Sequence, residues 1–298
     1  MTSVPSRAPT TRHPSVAERV SHWTLPGQVG PDREPLTARI AEAGPTTGTP
    51  IVFLHGLVGL NDHWEGVVAK LKDRAPHARC VMVEMPLLRM TGDDCCVEGV
   101  AKLTLRFLKE FLGQPAILVG NSFGGHVAMR IACDDPAAVK GLVLAGASGL
   151  YERSLLANVE IRPSRAWLAR KIGELFYDKS FVWESDIDRS YAALSERSAA
   201  RALIRLSRSA RADHLGEKLH KITSPTLLVW GRQDVVTPPD TAQEFNRLIK
   251  GSTLEWIDRC GHAPMMECTD IFSEHLANFY TNFSADFSSK SHQGPKSP

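Results

Sequence analysis

The sequence predicts an α/β fold in which a mostly parallel β-sheet carries helices on both faces. Short apolar runs alternate along the chain with longer amphipathic segments, a pattern typical of βα units. The clearest unit surrounds residues 120–125, Gly-Asn-Ser-Phe-Gly-Gly, which lie between the apolar run 116–119 and a helical segment that ends before Pro136. A serine in G-x-S-x-G at this position is predicted to sit on a tight turn, the nucleophile elbow, that exposes its hydroxyl.

Length and composition indicate one large globular core. The chain has 298 residues, of which 43% are hydrophobic and 23% charged, and its net charge is +2. This mild charge, without basic blocks interleaved with aromatic residues, excludes nucleic acid as an expected partner. The apolar runs are far shorter than the ~20 residues of a membrane span. The six cysteines include no CxxC spacing, which favours a reduced, cytoplasmic protein without a zinc site. We therefore expect a small-molecule substrate and no cofactor or metal.

The strands and helices are predicted from periodicity and from the residues that begin or end them. Two runs with partial alternation, 20–25 and 36–43, are expected to pair as an antiparallel hairpin at one edge of the sheet. Buried strands are predicted at six apolar runs: 51–54, 80–85, 116–119, 141–145, 225–230 and 252–257. Helices are predicted between them and after the last: 63–71 with Asp62 as its N-cap, 97–112, 239–250 and 270–283.

The pattern changes between about 148 and 219, where strands stop and charged, helix-like stretches follow one another. We predict a helical cap at 148–219, inserted into a core formed by 18–147 and 220–284. Polar, Pro/Ser/Thr-rich composition predicts a disordered leader at 1–17, and a polar composition predicts a disordered tail at 285–298.

One predicted helix of the cap carries five arginines at helical spacing: Arg197, Arg201, Arg205, Arg208 and Arg211. One interpretation is an anion-attracting surface for a carboxylate substrate or an acidic partner. The other is a solvated face whose charge is offset by nearby acids, among them Glu152, Glu174, Asp186 and Asp188. We favour the solvated face, because the apolar side of the helix packs inward and turns the arginines away from the site.

A serine hydroxyl is a poor nucleophile at neutral pH, so it needs a neighbouring base that is oriented by a carboxylate. In a parallel sheet these partners are expected just beyond the carboxyl ends of strands. Asp234 follows the strand at 225–230, and His262 follows the strand at 252–257. The chain order Ser122, Asp234, His262 is the order expected for this type of turn. These three residues are the predicted catalytic triad.

The oxyanion that forms during acyl transfer needs two backbone donors. The N–H of Phe123 is one candidate, and the N–H of Leu57, in the loop after the strand at 51–54, is the other. Asn121 is a candidate for positioning the substrate. His55 is expected to shape the loop backbone, and His126, one turn into the helix after the serine, is expected to be packed.

With these motifs the chain resembles capped serine hydrolases of the α/β-hydrolase fold superfamily over residues 36–283. The resemblance implies an eight-stranded-type, mostly parallel sheet and a helical cap at 148–219 that covers the site. The serine at the elbow argues against haloalkane dehalogenases and epoxide hydrolases, which carry aspartate there. The resemblance rests on four segments: His55-Gly56-Leu57, residues 120–125, Gly-Arg-Gln-Asp at 231–234, and Cys260-Gly261-His262.

Three functions remain open from the sequence. The leading hypothesis is a carboxylic ester hydrolase that forms an acyl-enzyme on Ser122. Residues 120–125 and 230–234 also look like those of meta-cleavage-product hydrolases, which break C–C bonds in dienoates with the same triad. The chain differs from them at Ala263, where they usually have tryptophan, and the loop 85–90 lacks the superfamily's frequent Asp-Pro-Gly turn. The third hypothesis is a non-enzymatic ligand receptor on the same fold.

Overall fold

The computed structural model describes residues 15–151 and 163–290 of the protein, with side chains up to residue 282. Its centre is an eight-stranded sheet in the order β1-β2-β4-β3-β5-β6-β7-β8. β2 pairs antiparallel with β1 and with β4, and all other neighbours are parallel, which confirms the predicted fold class. The strands are β1 Arg19–Val29, β2 Pro35–Ala43, β3 Pro50–Leu54, β4 Arg79–Glu84, β5 Ala116–Asn121, β6 Val139–Ala145, β7 Thr226–Gly231 and β8 Thr253–Ile257.

Helices cover both faces of the sheet and enclose two apolar layers. Residues of a central strand alternate between the layers: Val52 and Leu54 of β3 face one, while Ile51 and Phe53 face the other. The first layer is closed by α2 Val97–Arg106, α3 Phe123–Asp134 and α7 Pro239–Leu248. The second is closed by α1 Asp62–Arg74, α8 Pro264–Glu267 and α9 Thr269–Lys290. None of the helices in the described part of the chain is long and apolar enough to cross a membrane.

Three local predictions were wrong in detail. The residue at the N-cap of α1 is Asn61 and not Asp62. The carboxylate of Asp62 instead accepts a hydrogen bond from Arg189. The helix predicted at 97–112 changes to a π-helix at Phe107–Leu112, which ends at Gly113 with a φ of 67°. α9 continues to Lys290, so 285–290 are helical and not a disordered tail, because neither glycine nor proline interrupts the chain before Gly294.

Between β6 and β7, the described residues form three further α-helices: α4 Arg165–Gly173, α5 Glu184–Ser195 and α6 Arg197–Ala212. We call residues 163–212 the helical segment. α4 begins at Ser164, whose hydroxyl accepts a hydrogen bond from the backbone N–H of Trp167. The segment has a small apolar cluster of its own, formed by Trp167, Leu168, Ile187, Leu194 and Leu203. Residues 152–162 of the predicted cap, 1–14 of the predicted leader and 291–298 of the predicted tail lie outside the described residues.

Candidate active site

Ser122 forms the turn between β5 and α3 and has the unusual backbone angles φ 53° and ψ −117°. Strand and helix approach so closely here that a Cβ at Gly120 would lie 2.5 Å from the carbonyl oxygen of Gly124. A Cβ at Gly124 would lie 2.3 Å from the carbonyl oxygen of Leu54. Only glycine fits at both positions, and the strained turn holds Ser122 beyond the carboxyl end of β5.

Asp234 and His262 meet beyond the ends of β7 and β8, where both are 3% exposed. The Nδ1 of His262 lies 2.9 Å from the Oδ2 of Asp234. The other carboxylate oxygen, Oδ1, accepts hydrogen bonds from the backbone N–H groups of Val236 at 2.8 Å and Thr237 at 2.9 Å. The hydroxyl of Thr237 donates to Oδ2 at 2.8 Å. The carboxylate is therefore fixed by three donors besides the imidazole.

The loop that carries His262 is held from both sides. Its backbone N–H donates to the carbonyl of Leu175 at 2.8 Å, and its carbonyl accepts from Asn121 Nδ2 at 3.0 Å. The same Asn121 nitrogen donates to the carbonyl of Ala145 at 2.9 Å. Both hydrogens of this amide are thus used inside the protein, so the Asn121 nitrogen positions the histidine loop. Asn121 also borders the cavity, and its predicted role in positioning the substrate, through its carbonyl oxygen, stays a prediction.

Space for the imidazole depends on Gly146, directly after β6. A Cβ at this residue would lie 2.8 Å from Nδ1 of His262 and 3.1 Å from Oδ2 of Asp234. Its φ of 51° is also one that side chains disfavour. Glycine is therefore required at this strand end if Asp234 and His262 are to meet.

The loop after β3 lies against Ser122, and His55 shapes it as the sequence predicts. The Nε2 of His55 accepts from the backbone N–H of Met85 at 3.1 Å, so Nδ1 carries the proton and donates to the carbonyl of Gly56 at 2.7 Å. Burial lowers the pKa of His55, which favours this neutral form. A Cβ at Gly56 would lie 3.5 Å from the Cβ of Ser122, and the next residue, Leu57, borders the same cavity as the serine.

A cavity of about 200 Å³ opens above the strand ends, and both Ser122 and His262 line it. Its opposite wall comes from the helical segment, so a ligand inside would be enclosed between the sheet edge and these helices. Most of the wall is apolar, including Trp167, Leu168, Ile172, Leu194, Leu203 and Met265. Such a lining suits a largely hydrophobic molecule.

The cavity wall also includes two cationic side chains, Arg189 and Lys171. One guanidinium nitrogen of Arg189 donates to Asp62 Oδ2 at 2.8 Å, and a second donates to Asp186 Oδ1 at 2.9 Å. The ammonium of Lys171 lies 3.0 Å from a carboxylate oxygen of Glu174. The lysine and the arginine of this wall are therefore already matched by three carboxylates.

A second histidine–aspartate pair ties the helical segment to the elbow helix. His126 of α3 is fully buried, as predicted, and its Nε2 lies 3.3 Å from Oδ2 of Asp213, the residue that follows α6. Arg130, also on α3, donates to Oδ1 of Asp213 at 2.7 Å. Burial raises the pKa of Asp213, but its interactions with His126 and Arg130 outweigh this effect and lower the pKa to about 2. Asp213 is therefore ionised near neutral pH, and it anchors the end of α6.

The structure brings Ser122 and His262 to one cavity and joins His262 to Asp234. Leu57 borders that cavity and Phe123 begins α3 directly after the serine, so their N–H groups keep the predicted oxyanion role as a prediction. Sequence reasoning missed Thr237 and the Arg189 pairs. Thr237 lies three residues after Asp234 and before Pro238, a local turn that could have indicated a side chain bound to the aspartate.

Comparisons with known proteins agree with this fold. Residues 51–274 match the sequence profile of the Alpha/beta hydrolase family. The 2-hydroxy-6-oxononadienedioate/2-hydroxy-6-oxononatrienedioate hydrolase of Cupriavidus pinatubonensis is 30% identical over 78% of this chain and 86% of its own length. Monoacylglycerol lipase ABHD6 of Bos taurus is 27% identical over 80% of this chain and 77% of its own.

Among solved structures, a serine hydrolase from the polyaromatic hydrocarbon-degrading bacterium Cycloclasticus zankles superimposes with a TM-score of 0.76. The match covers 88% of this chain and 98% of the other, at 19% sequence identity. At that identity the likeness shows the fold alone, which is the fold described above.

Proposed function

We propose that this chain, which belongs to the alpha/beta hydrolase family, is a serine hydrolase of small, neutral carboxylic esters. Its relatives include both esterases and meta-cleavage-product hydrolases. Membership of the family therefore indicates a hydrolase but does not identify the substrate. The observation that carries the proposal is the 2.9 Å hydrogen bond between Asp234 and His262, beside a cavity that Ser122 also lines. A nucleophile, a base and an orienting carboxylate are the parts that acyl transfer requires.

In the proposed mechanism, Nε2 of His262 takes the proton of the Ser122 hydroxyl while its oxygen attacks the ester carbonyl. Asp234 keeps the Nδ1 proton in place and stabilises the imidazolium. The N–H groups of Leu57 and Phe123 donate to the oxyanion. The proton on Nε2 then passes to the alcohol as the ester C–O bond breaks, which leaves an acyl-serine. Water, deprotonated by His262, attacks this acyl group and releases the carboxylic acid and Ser122.

The pairing of the two cations in the cavity wall favours a neutral ester over a dienoate. A dienoate brings a carboxylate that needs a cation to receive it, since a charge without a partner is costly in a closed site. Arg189 and Lys171 already bind three carboxylates. A C–C hydrolase is the second candidate, and the 30% identity to the Cupriavidus enzyme supports it.

A substrate panel separates these candidates. We expect turnover of neutral aryl esters, a lower kcat/KM for a matched hemisuccinate ester with an added carboxylate, and no cleavage of a 6-oxo-dienoate. Cleavage of the dienoate with a higher kcat/KM than any ester would replace the ester proposal with the C–C hydrolase. No turnover of the panel and no covalent labelling of Ser122 would favour the receptor.

Thr237 offers a test of how the aspartate is held. Thr237→Val removes the hydroxyl donor to Oδ2 but keeps both backbone donors, and a hydrogen bond to a charged group contributes about 1.5–3 kcal/mol. We expect kcat for an aryl ester to fall about tenfold or more. Because Thr237 does not line the cavity, KM should stay unchanged. Thr237→Ser, which restores the hydroxyl, should recover most of the activity, whereas equal losses in both variants would point to packing alone.

The arginines of α6 provide a test of the charge requirement. None of the five lines the cavity, so Arg201→Gln with Arg205→Gln should leave kcat/KM for a soluble neutral ester within about threefold. The rate with an anionic ester should depend little on ionic strength. A selective loss of the anionic ester in the double variant, reproduced by salt in the wild type, would contradict both expectations and favour a carboxylate substrate.

A further inference from the structure

The five arginines of α6 form one continuous charged surface, which we call the arginine stripe: Arg197, Arg201, Arg205, Arg208 and Arg211. All five side chains are exposed, and the buried side of the same helix carries Ala199, Leu203, Leu206 and Ala210. At a rise of about 1.5 Å per residue, the stripe extends over about 21 Å. α6 itself contains no acidic residue.

The acids expected to offset this charge bind other cations. Glu174 pairs with Lys171, Asp186 with Arg189, and Asp188 with Arg165. Glu152, the fourth, lies outside the described residues.

At the C-terminal end of α6, Asp213 is held by Arg130 and His126. The acidic residue next to the N-terminal end of α6 is Glu196, which is its N-cap. No ion pair joins any member of the stripe to another residue within 15–151 or 163–282. The three named acids that the structure describes are therefore bound to other cations, while the arginines point away from the cavity as predicted.

We propose that the arginine stripe is a docking surface for anionic lipid bilayers. Guanidinium groups bind phosphate in a bidentate manner and are weakly hydrated, which suits contact with phospholipid headgroups. Each basic side chain near an anionic membrane surface strengthens binding about fivefold. A straight row of five on one helix can reach a flat surface together, so their contributions accumulate.

The stripe is also placed close to the cavity. Leu203 and Ser207, on the inner side of α6, line it. Because an α-helix is about 10 Å in diameter with its side chains, the membrane-facing side of α6 lies about one helix diameter from the bound substrate. Docking through the stripe would hold the apolar cavity near the surface from which hydrophobic esters partition.

Other polyanions fit the stripe less well. α6 carries no aromatic side chain on which a nucleic-acid base could stack. Its exposed face also lacks a fully exposed large apolar or aromatic side chain of the kind that anchors protein partners, since the large apolar residue among the arginines, Ile204, is half-buried. Electrostatic adsorption to a lipid surface needs neither feature.

The test is vesicle co-sedimentation of the full chain. The vesicles contain phosphatidylcholine alone or with a quarter of it replaced by phosphatidylglycerol. We expect the wild type to bind only the anionic vesicles, and to lose binding between about 0.1 M and about 1 M salt. Arg201→Gln with Arg205→Gln should lower the partition coefficient about 25-fold. Arg33→Gln with Lys250→Gln removes the same charge from exposed residues elsewhere and should change it less than about twofold.

Equal binding to both kinds of vesicle, or equal losses in the two double variants, would overturn the proposal. So would stripe-dependent binding to a short DNA duplex that is tighter than binding to anionic vesicles at the same salt. Measuring aryl-ester hydrolysis with the same samples distinguishes a failure of the docking surface from a failure of the proposed function. If the wild type binds anionic vesicles and hydrolyses no ester, the docking surface stands and the proposed function fails.

Discussion

Replacing Ser122 with alanine is expected to lower kcat for an aryl ester by a factor on the order of 10⁶, as for other triad nucleophiles. The turn at φ 53° presents this hydroxyl to the cavity that His262 also lines, and alanine removes it without adding volume. Substrate binding depends on the cavity walls, so the affinity for a product analogue should be retained. Steady-state kinetics and calorimetric titration measure the two effects.

Ser190 provides the control for this prediction, because it lines the same cavity from α5. Ser190→Ala should retain kcat within about tenfold, since Ser190 lies on helix α5 and not on the strained turn beyond β5. If Ser190→Ala abolishes turnover while Ser122→Ala keeps it, the nucleophile has been assigned to the wrong serine.

Asp234→Asn is expected to lower kcat by about 10⁴, because the amide no longer holds the imidazole in the tautomer that accepts the serine proton. The backbone donors of Val236 and Thr237 bind Oδ1, which the amide can retain, so the fold should survive. Stopped assays at saturating ester, together with thermal unfolding of both proteins, check the two parts of this expectation.

The described residues directly after β6, 146–151, include no carboxylate, and Gly146 lies against both Asp234 and His262. A loss of less than about tenfold in Asp234→Asn would nevertheless show that another acid orients the histidine. Asp240→Asn, on the exposed side of α7, is the matched control and should change kcat less than about twofold.

The sequence was sufficient to predict the sheet and the placement of the site because both depend on local patterns. Strands β3 to β8 each correspond to a short apolar run, and Ser122, Asp234 and His262 each follow such a run by a few residues. In a parallel sheet, the carboxyl ends of neighbouring strands lie at one edge, so positions far apart along the chain can be placed together without knowledge of the packing.

The features that escaped prediction depend on packing between distant elements. Arg189 reaches Asp62, 127 residues earlier in the chain, and only the position of α5 over α1 brings the two together. For this reason the pairing of the cavity's cations with carboxylates could not be predicted from the sequence. The cations that bind the acids expected to offset the arginine stripe could not be predicted either. The continuation of α9 to Lys290 was missed because a polar composition does not by itself end a helix.

The central claim is that Ser122 carries the acyl group. Incubation with a fluorophosphonate probe, followed by peptide mass spectrometry, tests it most directly, because the probe reacts with a serine that a neighbouring base activates. One label per chain is expected, on the peptide that contains Ser122, and none in Ser122→Ala. Labelling that persists in Ser122→Ala, or that falls on another residue of the wild type, would contradict the claim.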